Sequence, residues 1–123
     1  MRSLPLLFTL FLSPQALPAQ DLEIWFLDVG QGDSTLLRGP TGKTFLFDGG
    51  DNGKGNAVVI PLLQSLGINH LDWVSASHYH ADHVGGLDEV WNAGIHATTC
   101  LDRGDSNPPG TWSFSDYRSA YAS

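Results

Sequence analysis

The chain has 123 residues, of which 41% are hydrophobic and 15% charged, and its formal net charge is −7. That length holds one domain and not two, and the apolar content excludes wholesale disorder. The acidic balance argues against a generic nucleic-acid binder, which presents a basic face. The single cysteine excludes an intramolecular disulfide.

Residues 1–19 read as a secretory signal peptide. Arg2 is a small positive start, Leu4 to Leu12 is almost continuously apolar, and Ser13 to Ala19 brings helix breakers and small residues, with cleavage placed after Ala19. The apolar run is about half the ~20 residues of a spanning helix. No cysteine follows it, so no lipid anchor is implied. The expectations are a secreted or periplasmic protein, no stable membrane association after cleavage, and a single domain over 20–123. Removing 1–19 takes away Arg2 and leaves Arg38, Lys43, Lys54, Arg103 and Arg118, well dispersed, against 13 acidic residues.

Leu22 to Asp28 is apolar and aromatic and predicts a strand, broken by Val29-Gly30-Gln31-Gly32-Asp33. Ser34 to Arg38 and Lys43 to Phe47 read as a β-hairpin across the turn Gly39-Pro40-Thr41-Gly42. A glycine loop, 48–55, follows. Asn56 to Leu66 predicts a helix capped by Asn56, with Val59, Leu62, Leu63 and Leu66 on one face. Pro61 implies an irregular first turn or a start at that residue, and Gly67 ends the helix. Leu71 to Ser77 is the next strand, Leu87 to Asn92 a short helix closed by Gly94, and Ala97 to Leu101 a fifth strand that buries Cys100. Residues 102–113 read as loop, with Ser115 capping a last helix from Asp116. His70 and His96 read as surface residues. Trp25, Trp73, Trp91 and Trp112 read as core or pocket wall.

Between strand and helix stands His78-Tyr79-His80-Ala81-Asp82-His83. His78 and His80 are two apart and project to the same side of extended backbone. The turn into the following helix can fold Asp82 and His83 toward a second metal. Neutral imidazoles and a carboxylate suit zinc, and also manganese or iron. Two such ions clamp an ester or phosphodiester oxygen and share a bridging hydroxide. Gly85 and Gly86 let backbone pass close to the site. Asp48, at a strand end, can accept a hydrogen bond from a ligand imidazole and fix its tautomer. Asp28 and Asp33 either do likewise or stabilise the turn at Gly30 and Gly32.

His78-x-His80-x-Asp82-His83 resembles the HxHxDH signature of the metallo-β-lactamase superfamily. The stretch Phe26 to Ser34 (FLDVGQGDS), Phe47-Asp48-Gly49-Gly50, and the run Leu66-Gly67-Ile68 with Leu71-Asp72 resemble the metallo-hydrolase domain of the ComEC competence proteins. The resemblance covers residues 22 to about 92. It implies an α+β, αββα-type sandwich and two divalent metal ions. His78 and His80 would hold one ion, and Asp82 and His83 the other. Asp82 would also orient the nucleophilic water or hydroxide. Asp28, Gln31, Asp33 and Asp48 would line or buttress the pocket.

The implied activity is metal-dependent hydrolysis, by a metal-bound hydroxide, of a small-molecule or nucleic-acid phosphodiester or a related ester. The superfamily completes its site with a later His, a bridging Asp and a final His, whereas after His83 this chain offers only His96. The expectation is therefore the N-terminal half of the fold, in a truncated chain. The alternative reading is a non-catalytic or degenerate metal-binding fragment that needs a missing segment or a partner chain.

Overall fold

Five strands lie side by side in chain order in the computed structural model, which describes residues 21–104 and 106–121. They are β1 Glu23–Phe26, β2 Thr35–Arg38, β3 Thr44–Phe47, β4 His70–Ser75 and β5 His96–Leu101. The expected signal peptide lies outside the described residues. β1, β2 and β3 pair antiparallel, and β3–β4 and β4–β5 pair parallel. The change of direction follows from the connections. Gly39 and Gly42 close the tight β2–β3 turn, where the Gly39 amide donates to Lys43 O at 2.8 Å. Parallel neighbours instead need long crossovers, which here carry the helices. A π-helical segment, Gly55–Val59, runs into α1 Ile60–Ser65. Two short helices, α2 Ala81–Val84 and α3 Leu87–Asn92, join β4 to β5, and α4 Trp112–Tyr121 follows β5.

Period-two alternation gives the sheet two unlike faces. Trp25, Leu36, Leu46, Val74 and Cys100 lie in register across all five strands. They meet Val59, Leu63, Leu87, Val90, Tyr117 and Tyr121 from the helices in one core. On the other face the next row holds Phe26, Phe47 and Leu101, which are 82%, 37% and 48% exposed. Trp73 and Ile24 are exposed beside them. One mixed sheet with helices on a single face is the α+β half-sandwich expected.

Four expectations need correction. Asn56 is not a cap. Its amide and that of Gly53 donate instead to the Glu89 carboxylate, at 2.7 and 2.5 Å, so an anion from α3 caps the segment from outside. Pro61 falls at the start of α1, consistent with a missing N–H being harmless there. Ser115 does not start α4. The helix begins at Trp112, where the Thr111 hydroxyl accepts the Phe114 amide, and Ser115 Oγ donates back to Thr111 O. Trp112 is 87% exposed and is not core, whereas Trp73 lines a hollow on the open sheet face with Phe45 and Leu101, and Trp25 and Trp91 pack against the core. Cys100 faces the core but is half-buried, with Sγ 3.2 Å from the Tyr117 hydroxyl. Burial pushes its thiol pKa up, which leaves it protonated and unreactive at neutral pH. His70 and His96 are exposed as expected, one against Thr98 and one stacked on Trp91.

Candidate metal centre

The histidine cluster sits where β4 ends. His78 follows the strand, His80 is still extended (ψ 149°), and at Ala81 the chain turns into α2, which carries Asp82 and His83. This bend brings the three imidazoles together. The ring of His78 lies 4.8 Å from that of His80 and 4.0 Å from that of His83. His83 Nε2 is 3.8 Å from Asp82 Oδ2. The rings pack against one another rather than around a common point. Among the described residues, no three His, Cys, Asp or Glu side chains are already posed about one ion. The donor chemistry nevertheless fits a divalent metal: three imidazoles and a carboxylate on one loop. Burial, reinforced by the neighbouring His83 and His80, lowers the pKa of His78 and favours the neutral, ligating form. Desolvation works to raise the Asp82 carboxyl. A hydrogen bond from Gln31 Nε2 at 3.3 Å and the adjacent His83 and His78 outweigh it and hold Asp82 below the usual value.

Asp48 forms the floor. It is 1% exposed and adopts φ 58°, a left-handed backbone that Asp tolerates better than most residues. Its Oδ1 accepts the Ser77 amide at 2.7 Å, and its Oδ2 accepts the Ser77 hydroxyl at 2.6 Å. The same Oδ2 lies 2.8 Å from His83 Nδ1. A carboxylate accepts only, so His83 Nδ1 is the donor of this bond, and Nε2, 3.8 Å from Asp82 Oδ2, is the ring nitrogen left to bind a metal. Ser77 has spent its hydrogen on Asp48 and can only accept from His78 Nδ1, 3.0 Å away. One buried carboxylate thus sets the tautomers of two imidazoles.

The second wall is the loop 28–33. Gly32 has φ +94°, and a Cβ there would fall 1.7 Å from the Asp82 carbonyl oxygen. Only glycine lets this loop lie on the first turn of α2, where the Asp33 amide donates to Asp82 O. Behind it Gly86 packs against backbone in the same way, its Cβ position 2.2 Å from Gly49 O. Gln31 reaches Asp82, and Asp33 Oδ2 lies 3.9 Å from His83 Nδ1 with its side chain 71% exposed. Asp28 accepts the Gly30 amide at 3.3 Å. Of the four pocket residues expected, Asp48, Gln31 and Asp33 reach the cluster, and Asp28 serves its own turn.

Sequence reasoning missed Ser77 and Tyr79. Ser77 lies two residues past the end of β4, just before His78, and its partner is distant in sequence. Tyr79 is 2% exposed, and its hydroxyl donates to Gly104 O at 2.9 Å, fastening the cluster to the loop after β5. Asp102, at the start of that loop, accepts from the Tyr117 hydroxyl at 2.8 Å and from Arg118 at 3.0 Å. The signal for Tyr79 was the aromatic itself, between two histidines whose alternation turned it toward the core.

A histidine and aspartate cluster thus stands at the end of a sheet strand and opens into a glycine-flanked helix. The family model of the metallo-beta-lactamase superfamily matches residues 27–122, and the chain belongs to that superfamily. Over 87 residues it is 35% identical to Competence protein ComA of Neisseria gonorrhoeae, covering 68% of this chain and 12% of that protein. Over 72 residues it is 35% identical to the uncharacterized protein YcaI of Escherichia coli (strain K12), covering 55% of this chain and 9% of that protein. The chain thus spans about a tenth of the length of these curated relatives. Among the described residues no helix is long and apolar enough to cross a membrane.

Proposed function

We propose that the chain is a metal-dependent hydrolase acting on a phosphodiester or related ester, in a secreted or periplasmic setting. The observation that carries this reading is the pairing of His83 Nδ1 with buried Asp48, which leaves Nε2 as the ligating nitrogen, 3.8 Å from the Asp82 carboxylate. His78, His80, Asp82 and His83 would hold up to two divalent ions, zinc before manganese or iron given three imidazoles. A bound ion of this kind supplies Lewis acidity toward a substrate oxygen and lowers the pKa of water.

The remaining work falls to the protein. Asp48 and Ser77 hold the His83 and His78 rings in one tautomer, which raises ligand basicity and fixes ring orientation. Asp82 stays ionised and accepts a hydrogen bond from the attacking water. Gln31 holds the Asp82 carboxylate in place. The substrate approaches from the solvent side, where His80 and Asp33 are exposed.

The test is turnover of bis(para-nitrophenyl) phosphate by the purified chain with zinc or manganese, then with a chelator. The expected result is metal-dependent hydrolysis that falls by about 10²–10⁴-fold in Asp82→Asn, the usual contribution of a positioned acid or base. Metal binding without turnover would sink the hydrolase reading and leave a metal-binding module.

A further inference from the structure

Beside His78 and His80 opens a cleft of 420 Å³, lined also by Tyr79, Arg103, Asn107, Pro108 and Pro109. That volume suits a small ligand or one residue of a larger one. Its one cationic side chain is Arg103. Three of the other described cations are neutralised by carboxylates: Arg38 by Glu23, Lys43 by Asp72 and Arg118 by Asp102. Arg103 instead donates to two carbonyl oxygens of its own loop, Ser106 O at 2.8 Å and Asn107 O at 3.1 Å. These bonds hold the guanidinium without cancelling its charge. The group also lies over the Tyr79 ring, 4.7 Å from its centroid, and Tyr79 is buried and tied to Gly104 O. Its position is therefore fixed in advance, between the ligand histidines and a proline-stiffened rim.

We infer that Arg103 is the anion-recognising residue of this cleft and selects substrates carrying a negatively charged phosphodiester over neutral esters. The inference rests on the reading of the cluster as an ester-hydrolysing centre and deepens it by naming the substrate's charge. The physical need is plain. The chain is strongly acidic, and Asp33, Asp48 and Asp82 surround the cluster. An anion entering meets repulsion that a preplaced cation offsets. Arginine retains free N–H groups after its two loop bonds, because guanidinium has five donors. Those donors can grip a non-bridging phosphate oxygen while the ester oxygen faces His78 and His80.

The experiment separates binding from turnover on the metal-loaded chain. Calorimetry would measure affinity for dimethyl phosphate, an anionic diester, and trimethyl phosphate, its neutral analogue. The expected result is about a 10- to 100-fold loss of dimethyl phosphate affinity in Arg103→Gln, the size of a lost charged hydrogen bond. Trimethyl phosphate binding and metal content should stay unchanged. Arg103→Lys should fall between, keeping charge without the fork. Lys43→Gln removes one positive charge from the β2–β3 turn, beside Asp72, and should have no effect. The inference is overturned if Arg103→Gln leaves dimethyl phosphate binding intact, weakens both probes equally, or matches Lys43→Gln. A wild-type chain that does not bind dimethyl phosphate overturns it as well. Arg103-dependent binding without hydrolysis of bis(para-nitrophenyl) phosphate would keep the inference and reject the hydrolase reading.

Discussion

Asp48 and Asp28 each end a strand-forming stretch ahead of a glycine turn, yet Asp48 is 1% exposed and Asp28 lies in solvent. Asp48 gathers Ser77 and His83 from across the sheet. Asp28 bonds the amide two residues along its own turn. The contrast extends to the whole site. Its floor is closed by backbone packing and by part-buried hydrogen bonds to one buried carboxylate, and its rim is made of solvated side chains. Burial, not residue type, decides which carboxylate holds the imidazole: a buried carboxylate left unpaired is costly, so its partners are specified. On the rim water replaces any partner, and the chain is free to vary.

The contrast is broken most severely at Gly32. An alanine there would clash with the Asp82 carbonyl, so Gly32→Ala should destabilise the fold by more than about 3 kcal/mol, combining left-handed strain with backbone displacement. Gly42, with φ +81° and nothing near its Cβ position, isolates the strain. Gly42→Ala should cost only about 1–2 kcal/mol. Urea unfolding midpoints of the two variants would compare them, and equal shifts would mean that the loop does not press on α2.

Next in size is the floor carboxylate itself. Asp48→Ala should weaken metal affinity by about 10–100-fold through loss of the His83 and Ser77 partner. It should also cost about 1–3 kcal/mol for the part-buried Ser77 and His83 donors left unpaired. Asp28→Ala should change neither quantity beyond about 0.5 kcal/mol of stability. Competition with a chromophoric chelator would read the affinities. Comparable losses in the two variants would erase the distinction between floor and rim.

A smaller effect concerns Asp102, which ties the rim loop to α4. Desolvation raises its carboxyl, but hydrogen bonds from the Gly104 amide and the Tyr117 hydroxyl, with Arg118 beside it, prevail and hold the pKa down. A carboxyl depressed in the folded state contributes stability above its unfolded pKa and loses it as pH falls through the folded value. Wild type should therefore lose stability on acidification below about pH 5, and Asp102→Asn should show a flatter slope. The difference between the two should shrink as pH falls. A constant difference across that range would assign Asp102 a purely packing role.

What the sequence made legible was local. Six residues held the candidate donors His78, His80, Asp82 and His83, because strand alternation and one helical turn suffice to gather them. Asp48 stood out as a strand-end carboxylate. The sidedness of β4 was not legible, since Trp73 and Val74 are both apolar and only the packed helices reveal that Val74 faces the core. Nor were the contacts of Gly32 with Asp82, Ser77 with Asp48, or Tyr79 with Gly104. They join segments far apart in the chain, and no periodicity encodes such distances. Asp28 and Asp33 were ambiguous for a related reason. Turn support and ligand support ask the same residue types of the sequence, and only position relative to His83 separates them.

The most direct test of the floor-built metal centre is elemental analysis of metal per chain, on wild type beside His80→Ala and Asp82→Asn. The expected result is about one or two tightly held ions in wild type, reduced in both variants. A folded wild-type chain that holds no metal, or variants that hold as much as wild type, would contradict it.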